Sequence, residues 1–173
     1  FFPLAARWLF DKKARLELSG YRPEVICLVR ESSQPHRYLL IRPTADPSVW
    51  IPPQEGIASD ESIENAALRC LRFELGLEEA QVQFRKSIWL GKRTLAQARR
   101  DERDLRFSLR GLVTKHRMVG KGYFGALVVV AASAEIAANE AEVNSWAWVS
   151  SDEYHKRIAT NAPDKLLLLQ KLA

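Results

Sequence analysis

The stretch Trp50–Leu77, WIPPQEGIASDESIENAALRCLRFELGL, decides the fold of this chain. Its two adjacent prolines donate no backbone hydrogen bond, so any central strand that precedes them must end there. Ser59 or Asp60 can cap the helix that follows, and Gly76 can end it in a left-handed conformation. The stretch therefore predicts a strand, a tight loop and an amphipathic helix that runs up to the glycine.

The spacing of charged, aliphatic and glycine residues in this stretch fits a known signature. The signature reads Gly, five residues, Glu, seven residues, Arg-Glu, an aliphatic residue, any residue, Glu-Glu, any residue, Gly and an aliphatic residue. The fitting residues are Glu61, Arg69, Leu71, Glu74, Gly76 and Leu77. The chain thus resembles the Nudix hydrolases, which cut pyrophosphate bonds in nucleoside diphosphate derivatives with divalent metal. The resemblance implies an α+β Nudix fold, a mixed β-sheet sandwiched between helices in α/β/α layers.

Three positions of the stretch depart from the signature. Glu55 stands in place of the first glycine, while Cys70 and Phe73 stand in place of two glutamates that hold metal in the family. Glutamates at that helical spacing share one face, and Mg²⁺ prefers their hard oxygen atoms. A thiol is a soft ligand for Mg²⁺, and a benzyl ring cannot ligate it. Because Glu74 is the one helix carboxylate left at these positions, we expect the metal-dependent hydrolysis to be weakened or lost.

Two interpretations of the altered helix face stay open. In the first, Cys70 and Phe73 extend the apolar packing stripe of the helix, and Glu74 is solvated or paired with Arg69. In the second, other acids rebuild the metal site, and the candidates are Glu55, Glu61, Glu140 and Glu142. The expected cofactor is Mg²⁺ or Mn²⁺ if the protein is active, and none otherwise.

Segments outside the signature are similar to one branch of the family. They are GYRPEV at Gly20–Val25, WIPPQ at Trp50–Gln54, Gly120-Lys121, and EVNSWAWVS at Glu142–Ser150. These segments resemble RNA pyrophosphohydrolases and the related dinucleoside polyphosphate hydrolases. The reaction of that branch removes pyrophosphate from a 5′-triphosphorylated RNA end or splits a dinucleoside polyphosphate.

The branch resemblance also implies roles for individual residues. Arg22 and Lys121 would contact substrate phosphates, because cationic side chains make charge-assisted hydrogen bonds to phosphate. Arg22 equally fits a surface arginine at a strand entry. In the family, the position of Arg69 orients the catalytic glutamate and that of Glu61 helps to hold the loop. The implied catalytic set is Glu74, Arg69 and Glu61, and the implied metal ligands are Glu74 and Glu142.

Length and composition limit the class of protein. The 173 residues suit one domain with a sizeable core. A net charge of +5 and a pI of about 9.4 mildly favour an anionic partner such as RNA or a nucleoside polyphosphate. The basic stretch Lys92–Arg110 is either a solvated loop face or a contact for phosphate groups. No apolar run approaches the ~20 residues that span a bilayer, so no membrane partner is expected.

The cysteines and the beginning of the chain bear on its location. Cys27 and Cys70 form no metal or disulfide pattern, which is typical of reduced intracellular thiols. The start at Phe1 indicates a processed, trimmed or partial chain. Its acid-free beginning, Phe1–Phe10, is either a remnant of organellar targeting or part of a helix that packs on the domain. We expect the cytoplasm or the mitochondrial matrix.

Apolar runs and turn residues indicate the other elements. Strands are predicted at Val25–Arg30, Tyr38–Arg42, Val82–Leu90, Gly111–Arg117, Tyr123–Ala131 and Ser145–Val149. Helices are predicted at Ala5–Leu18, Ser151–Ile158 and Ala162–Leu172, and Leu95–Leu109 is open between helix and loop. Trp146 and Trp148 share one strand face, where they pack in the core or stack on a base. Residues 1–19 are predicted as a helical extension and residues 20–173 as the Nudix-like domain.

Two functions follow from these observations. The first is a Nudix protein that binds a nucleoside polyphosphate or an RNA 5′ end, with hydrolysis retained only if the metal site is rebuilt. The second is a non-catalytic scaffold subunit that joins an RNA-binding or ribonucleoprotein assembly, as degenerate Nudix domains do in mitochondrial ribosomes. In the second case the partners include other proteins of the assembly.

Overall fold

A computed structural model describes residues 12–94, 119–161 and 165–173 of the chain. The helices are Lys12–Leu18 (α1), Ile63–Leu75 (α2), Ser151–Asn161 (α3) and Leu166–Leu172 (α4). The strands are Tyr21–Glu31 (β1), Tyr38–Pro43 (β2), Gln54–Gly56 (β3), Val82–Thr94 (β4), Gly120–Val130 (β5) and Val143–Val149 (β6). The elements predicted at residues 95–109 and 111–117, the first part of the predicted N-terminal helix and most of the basic stretch lie outside the described residues.

The strands form one mixed sheet in the order β4-β5-β1-β2-β6. The central strands β1 and β5 are parallel along their whole length. The other pairings of described strands are antiparallel. Strands β2 and β3 share the remaining edge of β1, with β3 opposite Glu24–Ile26 and β2 opposite Arg30. The short strand β3 therefore lies at the same end of the sheet as the beginning of β1.

Alternating side chains of β1 divide the core into two layers. Val25 and Cys27 pack with residues of α2 on one face of the sheet. Ile26 and Leu28 pack on the other face with residues of α3 and α4, among them Leu168. Burial on both faces explains why β1 is a continuous apolar run. This layering confirms the predicted α+β fold, a mixed sheet sandwiched between helices.

The two ends of α2 test the predicted caps. The residue that caps its beginning is Ser62, so the prediction of Ser59 or Asp60 was wrong. The Ser62 hydroxyl accepts a hydrogen bond from the Asn65 backbone N–H at 3.0 Å, and the chain before Ser62 makes a separate turn. The prediction for Gly76 is confirmed, because its φ of 65° is left-handed and its N–H donates to carbonyls of the last helical turn.

Several strands are longer than their apolar runs. Strand β4 continues to Thr94 and β5 begins at Gly120, because the two strands pair along nearly their entire length. Irregularities beside Lys86 and Gly91 absorb the shifts of register between them. None of the helices in the described ranges has the length and hydropathy needed to cross a membrane.

Replacing Gly76 tests the strain at the end of α2. We expect Gly76→Ala to lower the free energy of unfolding by about 1–2 kcal/mol, because a Cβ atom disfavours the left-handed conformation. The added Cβ would also lie 2.8 Å from the Ala137 carbonyl oxygen. Gly76→Asn is the matched control, since asparagine adopts this conformation more readily. Urea unfolding of both variants measures the effect, and an unchanged stability for alanine would contradict this account of the cap.

Candidate functional site

Arg69 joins α2 to the segment before it, Gly56–Glu61, called the signature loop below. Its Nε donates to Glu61 Oε1 at 2.8 Å, and its Nη2 donates to Glu61 Oε2 at 2.9 Å and to the Gly56 carbonyl oxygen at 2.7 Å. Glu61 Oε2 also accepts from the Ala58 backbone N–H at 3.1 Å. These bonds form a brace that fixes the loop on the helix. The structure thus brings Arg69 and Glu61 together, and Arg69 bonds to the loop and not to Glu74.

The hydrogen bond from Arg69 is the main cause that holds the pKa of Glu61 below its ordinary value, although burial acts in the opposite direction. In turn, Glu61 raises the pKa of the Arg69 guanidinium. Both groups are therefore charged at neutral pH. The brace is an ion pair with directed hydrogen bonds, which is a stronger arrangement than either type of contact alone.

Glu74 lies on the face of α2 that packs on the sheet, and the side chain is buried. Its Oε2 atom has no hydrogen-bond partner among the described residues. Burial first, and then the charges of Glu55 and Glu142, raise the pKa of Glu74 to about 8, although the Cys70 thiol and the Gln54 backbone N–H bond to it. The expectation that Glu74 is solvated or paired with Arg69 was wrong, because the helix turns Arg69 away towards the signature loop.

Cys70 and Phe73 lie on different sides of the boundary between core and solvent. The Cys70 side chain is fully buried beside the Cys27 thiol of β1. That neighbouring thiol and the burial raise the pKa of Cys70 well above its usual value, so Cys70 is a neutral thiol. The Phe73 side chain is instead 54% exposed. The expectation that both residues extend the packing stripe is correct for Cys70 and wrong for Phe73.

The four acids considered as substitutes for the lost glutamates have different surroundings. Glu55 and Glu142 are close enough to Glu74 for their charges to raise its pKa. Glu61 is already bound by Arg69. Glu140 is exposed, and its backbone carbonyl oxygen accepts a hydrogen bond from Thr44. Glu55 and Glu142 are thus the acids whose charges act on the remaining helix carboxylate, and Glu55 Oε2 also lies 3.7 Å from Arg69 Nη1.

A divalent cation of the kind that the Nudix resemblance implies does not fit these donors. Across the described ranges, no three His, Cys, Asp or Glu side chains are placed together so that they could hold a metal ion. Cys70 offers a neutral thiol, which is a poor ligand for Mg²⁺. Phe73 offers no donor atom at all. Glu74, with Glu55 and Glu142 at longer range, is the residue on which any weak cation binding would depend.

Arg22 lies at the entry of β1, on the face of the sheet opposite to α2. Its exposed guanidinium lies directly against Gly56 of β3, where any Cβ atom would overlap it. Gly56 therefore contacts two arginines. The Arg22 guanidinium packs against its Cα, and Arg69 donates a hydrogen bond to its carbonyl oxygen. The absence of a side chain at position 56 is a condition for the placement of Arg22.

Lys121 is the partner of Arg22 on the neighbouring strand β5. It is buried, and its Nζ lies 3.1 Å from Glu24 Oε1. Lys165, which precedes α4, is also buried, and its Nζ donates to Gln54 Oε1 at 2.7 Å. Gln54 pairs with Ile26, whose side chain packs towards α4. Gln54 and Lys165 therefore lie on the same face of the sheet as Arg22, Glu24 and Lys121.

Sequence reasoning missed Lys165. A lysine ahead of an apolar helix normally points into solvent, and its contact with Gln54 joins positions that are far apart in the chain. No local pattern signals such a contact. The tryptophans of β6 also differ from the simple expectation: Trp148 packs against the core beneath α2, but Trp146 is 39% exposed.

Sequence comparisons identify relatives of the chain. The family described as NUDIX domain matches residues 20–171. An RNA pyrophosphohydrolase from Campylobacter jejuni is 35% identical over 73 residues, which are 41% of this chain and 47% of that protein. An RNA pyrophosphohydrolase from Marinomonas sp. is 40% identical over 70 residues, which are 40% of this chain and 41% of that protein. The match spans less than half of each of these relatives.

Structural comparisons show the same fold in solved proteins. RenU, a Nudix hydrolase from M. smegmatis, has a TM-score of 0.63 at 17% identity, with 88% of this chain and 86% of that chain covered. The C. elegans Ap4A hydrolase, in a binary complex, has a TM-score of 0.60 at 15% identity, with 87% and 93% covered. At these identities the likeness concerns the fold alone.

The different burial of Cys70 and Phe73 predicts different costs of restoring glutamates. We expect Cys70→Glu to lower the free energy of unfolding by about 3 kcal/mol, because it buries a carboxylate beside Glu74 with no cation to balance it. Phe73→Glu is the matched control on the next turn of the same helix, and we expect a change within about 0.5 kcal/mol. Urea unfolding compares the variants. Equal costs for the two would contradict the placement of these side chains.

The brace predicts a pH dependence of stability. The folded-state pKa of Glu61 is below the ordinary value of 4.5, so its contribution is complete above that pH and disappears as the pH falls through the folded-state pKa. We expect Glu61→Gln to cost about 1 kcal/mol near neutral pH, allowing for solvent around Arg69, and less as the solution becomes acidic. Arg72→Gln is the control, because its pairing with Glu78 is long and exposed. A cost for Glu61→Gln that grows on acidification would contradict this sign.

Proposed function

The chain belongs to the NUDIX domain family, and on that premise we propose that it binds nucleoside polyphosphates or RNA 5′ ends with metal-dependent hydrolysis weakened or lost. The observation that carries this proposal is the state of the helix positions at which the family holds metal. Cys70 is a buried neutral thiol, Phe73 is an exposed ring, and Glu74 is the one carboxylate at these positions. In this proposal the loop and helix that shape the site are kept, while the number of oxygen ligands for a metal ion is smaller.

Loss of activity follows from what hydrolysis of a polyphosphate requires. Phosphoryl oxygens repel a nucleophile until cations neutralise them, and bound metal normally supplies both this charge and the activated water. Glu74 alone at the helix positions gives one oxygen ligand where Mg²⁺ needs a near-octahedral set. Mg²⁺ or Mn²⁺ is therefore a cofactor of this chain only if Glu55 and Glu142 move in to complete the set. The metal ligands proposed for that case are Glu74 and Glu142.

Binding of a phosphate-rich ligand is supported by the face that carries Arg22. An exposed guanidinium with several N–H donors suits phosphate oxygens. Lys121 and Lys165 are buried on the same face of the sheet and add positive charge, which Glu24 offsets in part. In this proposal Arg22 contacts the ligand directly, and the two buried lysines strengthen the positive potential around it. The sequence relatives support the ligand class, since they are named RNA pyrophosphohydrolase.

A second candidate function is a non-catalytic scaffold in an RNA-binding or ribonucleoprotein assembly, mitochondrial or cytoplasmic. One observation favours it. Phe73 is an exposed aromatic residue where the family has a metal ligand, and Trp146 is a second exposed aromatic residue of the described chain. Aromatic side chains are enriched in the centres of protein interfaces. In this case Arg22 and the basic surface would bind an RNA backbone without regard to its 5′ end.

Binding and turnover of short RNAs distinguish the two candidates. We expect RNA with a 5′-triphosphate to bind more tightly than the same RNA with a 5′-hydroxyl, and no pyrophosphate to be released with Mg²⁺ or Mn²⁺. Arg22→Met is expected to weaken triphosphate binding about tenfold by removing charge-assisted hydrogen bonds. Arg85→Met is the control, because Arg85 is an exposed arginine of β4 that bonds to Gln83. Equilibrium binding and pyrophosphate release are the two measurements.

Two results would contradict the proposal. Equal affinity for the 5′-triphosphate RNA and the 5′-hydroxyl RNA would show that the protein does not recognise the 5′ end, and would favour the scaffold function. Pyrophosphate release that Glu74→Gln abolishes would show a working metal site and overturn the loss of hydrolysis. Diadenosine polyphosphates and ADP-ribose, tested in the same assays, extend the comparison to ligands that are not RNA.

A further inference from the structure

Lys13 of α1 has an environment that is unusual for a lysine. Its side chain is only 9% exposed, although it comes from a short helix near the beginning of the described chain. Its Nζ donates to the Ser59 carbonyl oxygen at 2.7 Å and to the Glu61 carbonyl oxygen at 2.6 Å. Burying an ammonium group is costly unless it is hydrogen-bonded, and these two contacts offset part of that cost.

The carbonyl groups that Lys13 binds belong to the signature loop. Glu61 holds Arg69 with its side chain and receives Lys13 at its backbone. Lys13, Glu61, Arg69 and Gly56 therefore form one continuous series of hydrogen bonds from α1 to β3. The charge of Lys13 also favours the ionised form of Glu61, the form that Arg69 binds.

The loop has little apolar packing of its own at this point. A surface cavity of about 350 Å³ lies beside it, lined by Lys13, Ser59, Asp60, Glu61, Ser62 and Ile63. Ala58, Ser59 and Asp60 are exposed. Ile57 packs in the core, but the three exposed residues that follow it depend on hydrogen bonds for their conformation. Lys13 supplies two of these bonds from outside the loop.

Helix α1 packs on the sheet, so that Lys13 can hold the signature loop in a fixed position. Leu16 is buried in the core layer beneath α2. It lies against Gly122 of β5, where a Cβ atom would come within 2.5 Å of Leu16 Cδ1. The ammonium group of Lys13 is thus carried by a helix that cannot easily move relative to β5.

We infer that Lys13 is a positioning residue for the signature loop, and that α1 belongs to the functional unit although it precedes the residues matched by the family. The residue acts on Arg69 through the backbone of Ser59 and Glu61, without touching a ligand. The inference does not depend on which ligand the protein binds or on whether it hydrolyses one, and its test uses the unliganded protein.

Three variants of the full chain test this role. Lys13→Met removes the ammonium group, and Lys13→Arg keeps a cation with several donors. Lys12→Met is the matched control, because Lys12 is an exposed lysine on the same helix that lies over the Trp89 ring. Two signals report on the loop in nuclear magnetic resonance: amide exchange of Ala58, whose N–H bonds to Glu61, and the Nε–H resonance of Arg69.

In Lys13→Met we expect Ala58 to exchange about tenfold faster and the Arg69 Nε–H resonance to move or broaden. The amide of Cys27, which bonds to the Pro53 carbonyl oxygen in the core, should exchange as in the parent protein. Lys12→Met should leave both signals unchanged, and Lys13→Arg should restore the Arg69 resonance.

Two outcomes would overturn the inference. One is an Ala58 exchange rate and an Arg69 resonance that are the same in Lys13→Met and Lys12→Met. The other is faster exchange of Ala58 and Cys27 by the same factor, which would mean that Lys13 supports global stability and does not position the loop. If Lys13→Met does not fold, Lys13→Gln, which keeps a neutral donor on a shorter side chain, is judged by the same two signals.

Discussion

The hydrogen-bonded ion pair between Arg69 and Glu61 is the contact on which the site depends. It ties the signature loop to α2 at two points, the Glu61 carboxylate and the Gly56 carbonyl oxygen. The position of Gly56 then determines where Arg22 can lie on the opposite face of the sheet. The exposed tip of the loop, Ala58–Asp60, is in this way held by hydrogen bonds, while Ile57 packs in the core. Lys13 strengthens the same arrangement from α1.

The two substitutions on α2 alter the site by different physical routes. Cys70, at a position where the family signature has a carboxylate, is a buried neutral thiol that packs beside Cys27 in the core. Phe73, at another signature carboxylate position, is an exposed ring that adds apolar surface to α2. Glu74 is left as a buried carboxyl group whose ionisation is disfavoured both by burial and by its acidic neighbours. The braced loop and helix are thus present, although few carboxylate ligands are available for a cation.

The sequence was sufficient for the features that depend on local spacing. Gly76 predicted the end of α2, and short apolar runs bounded by turn residues predicted most of the strands. The family resemblance implied that Glu61 helps to hold the loop, and Glu61 does accept hydrogen bonds from Arg69 and from the loop backbone. Features that depend on rotation and distance were harder to predict. Phe73 lies at the edge of the buried stripe, where a small change in the orientation of a helix decides between core and solvent.

Contacts between distant parts of the chain were beyond sequence reasoning. Lys13 meets the signature loop and Lys165 meets Gln54 only because the sheet brings their elements together. Both residues are lysines next to apolar helical positions, which in sequence look like ordinary solvent-facing side chains. Titrating the unmodified chain with Mn²⁺, and following the ion by electron paramagnetic resonance, shows whether cation binding is weakened or lost while the frame remains. We expect no stoichiometric site of micromolar affinity, and one tightly bound ion that Glu74→Gln removes would refute this expectation.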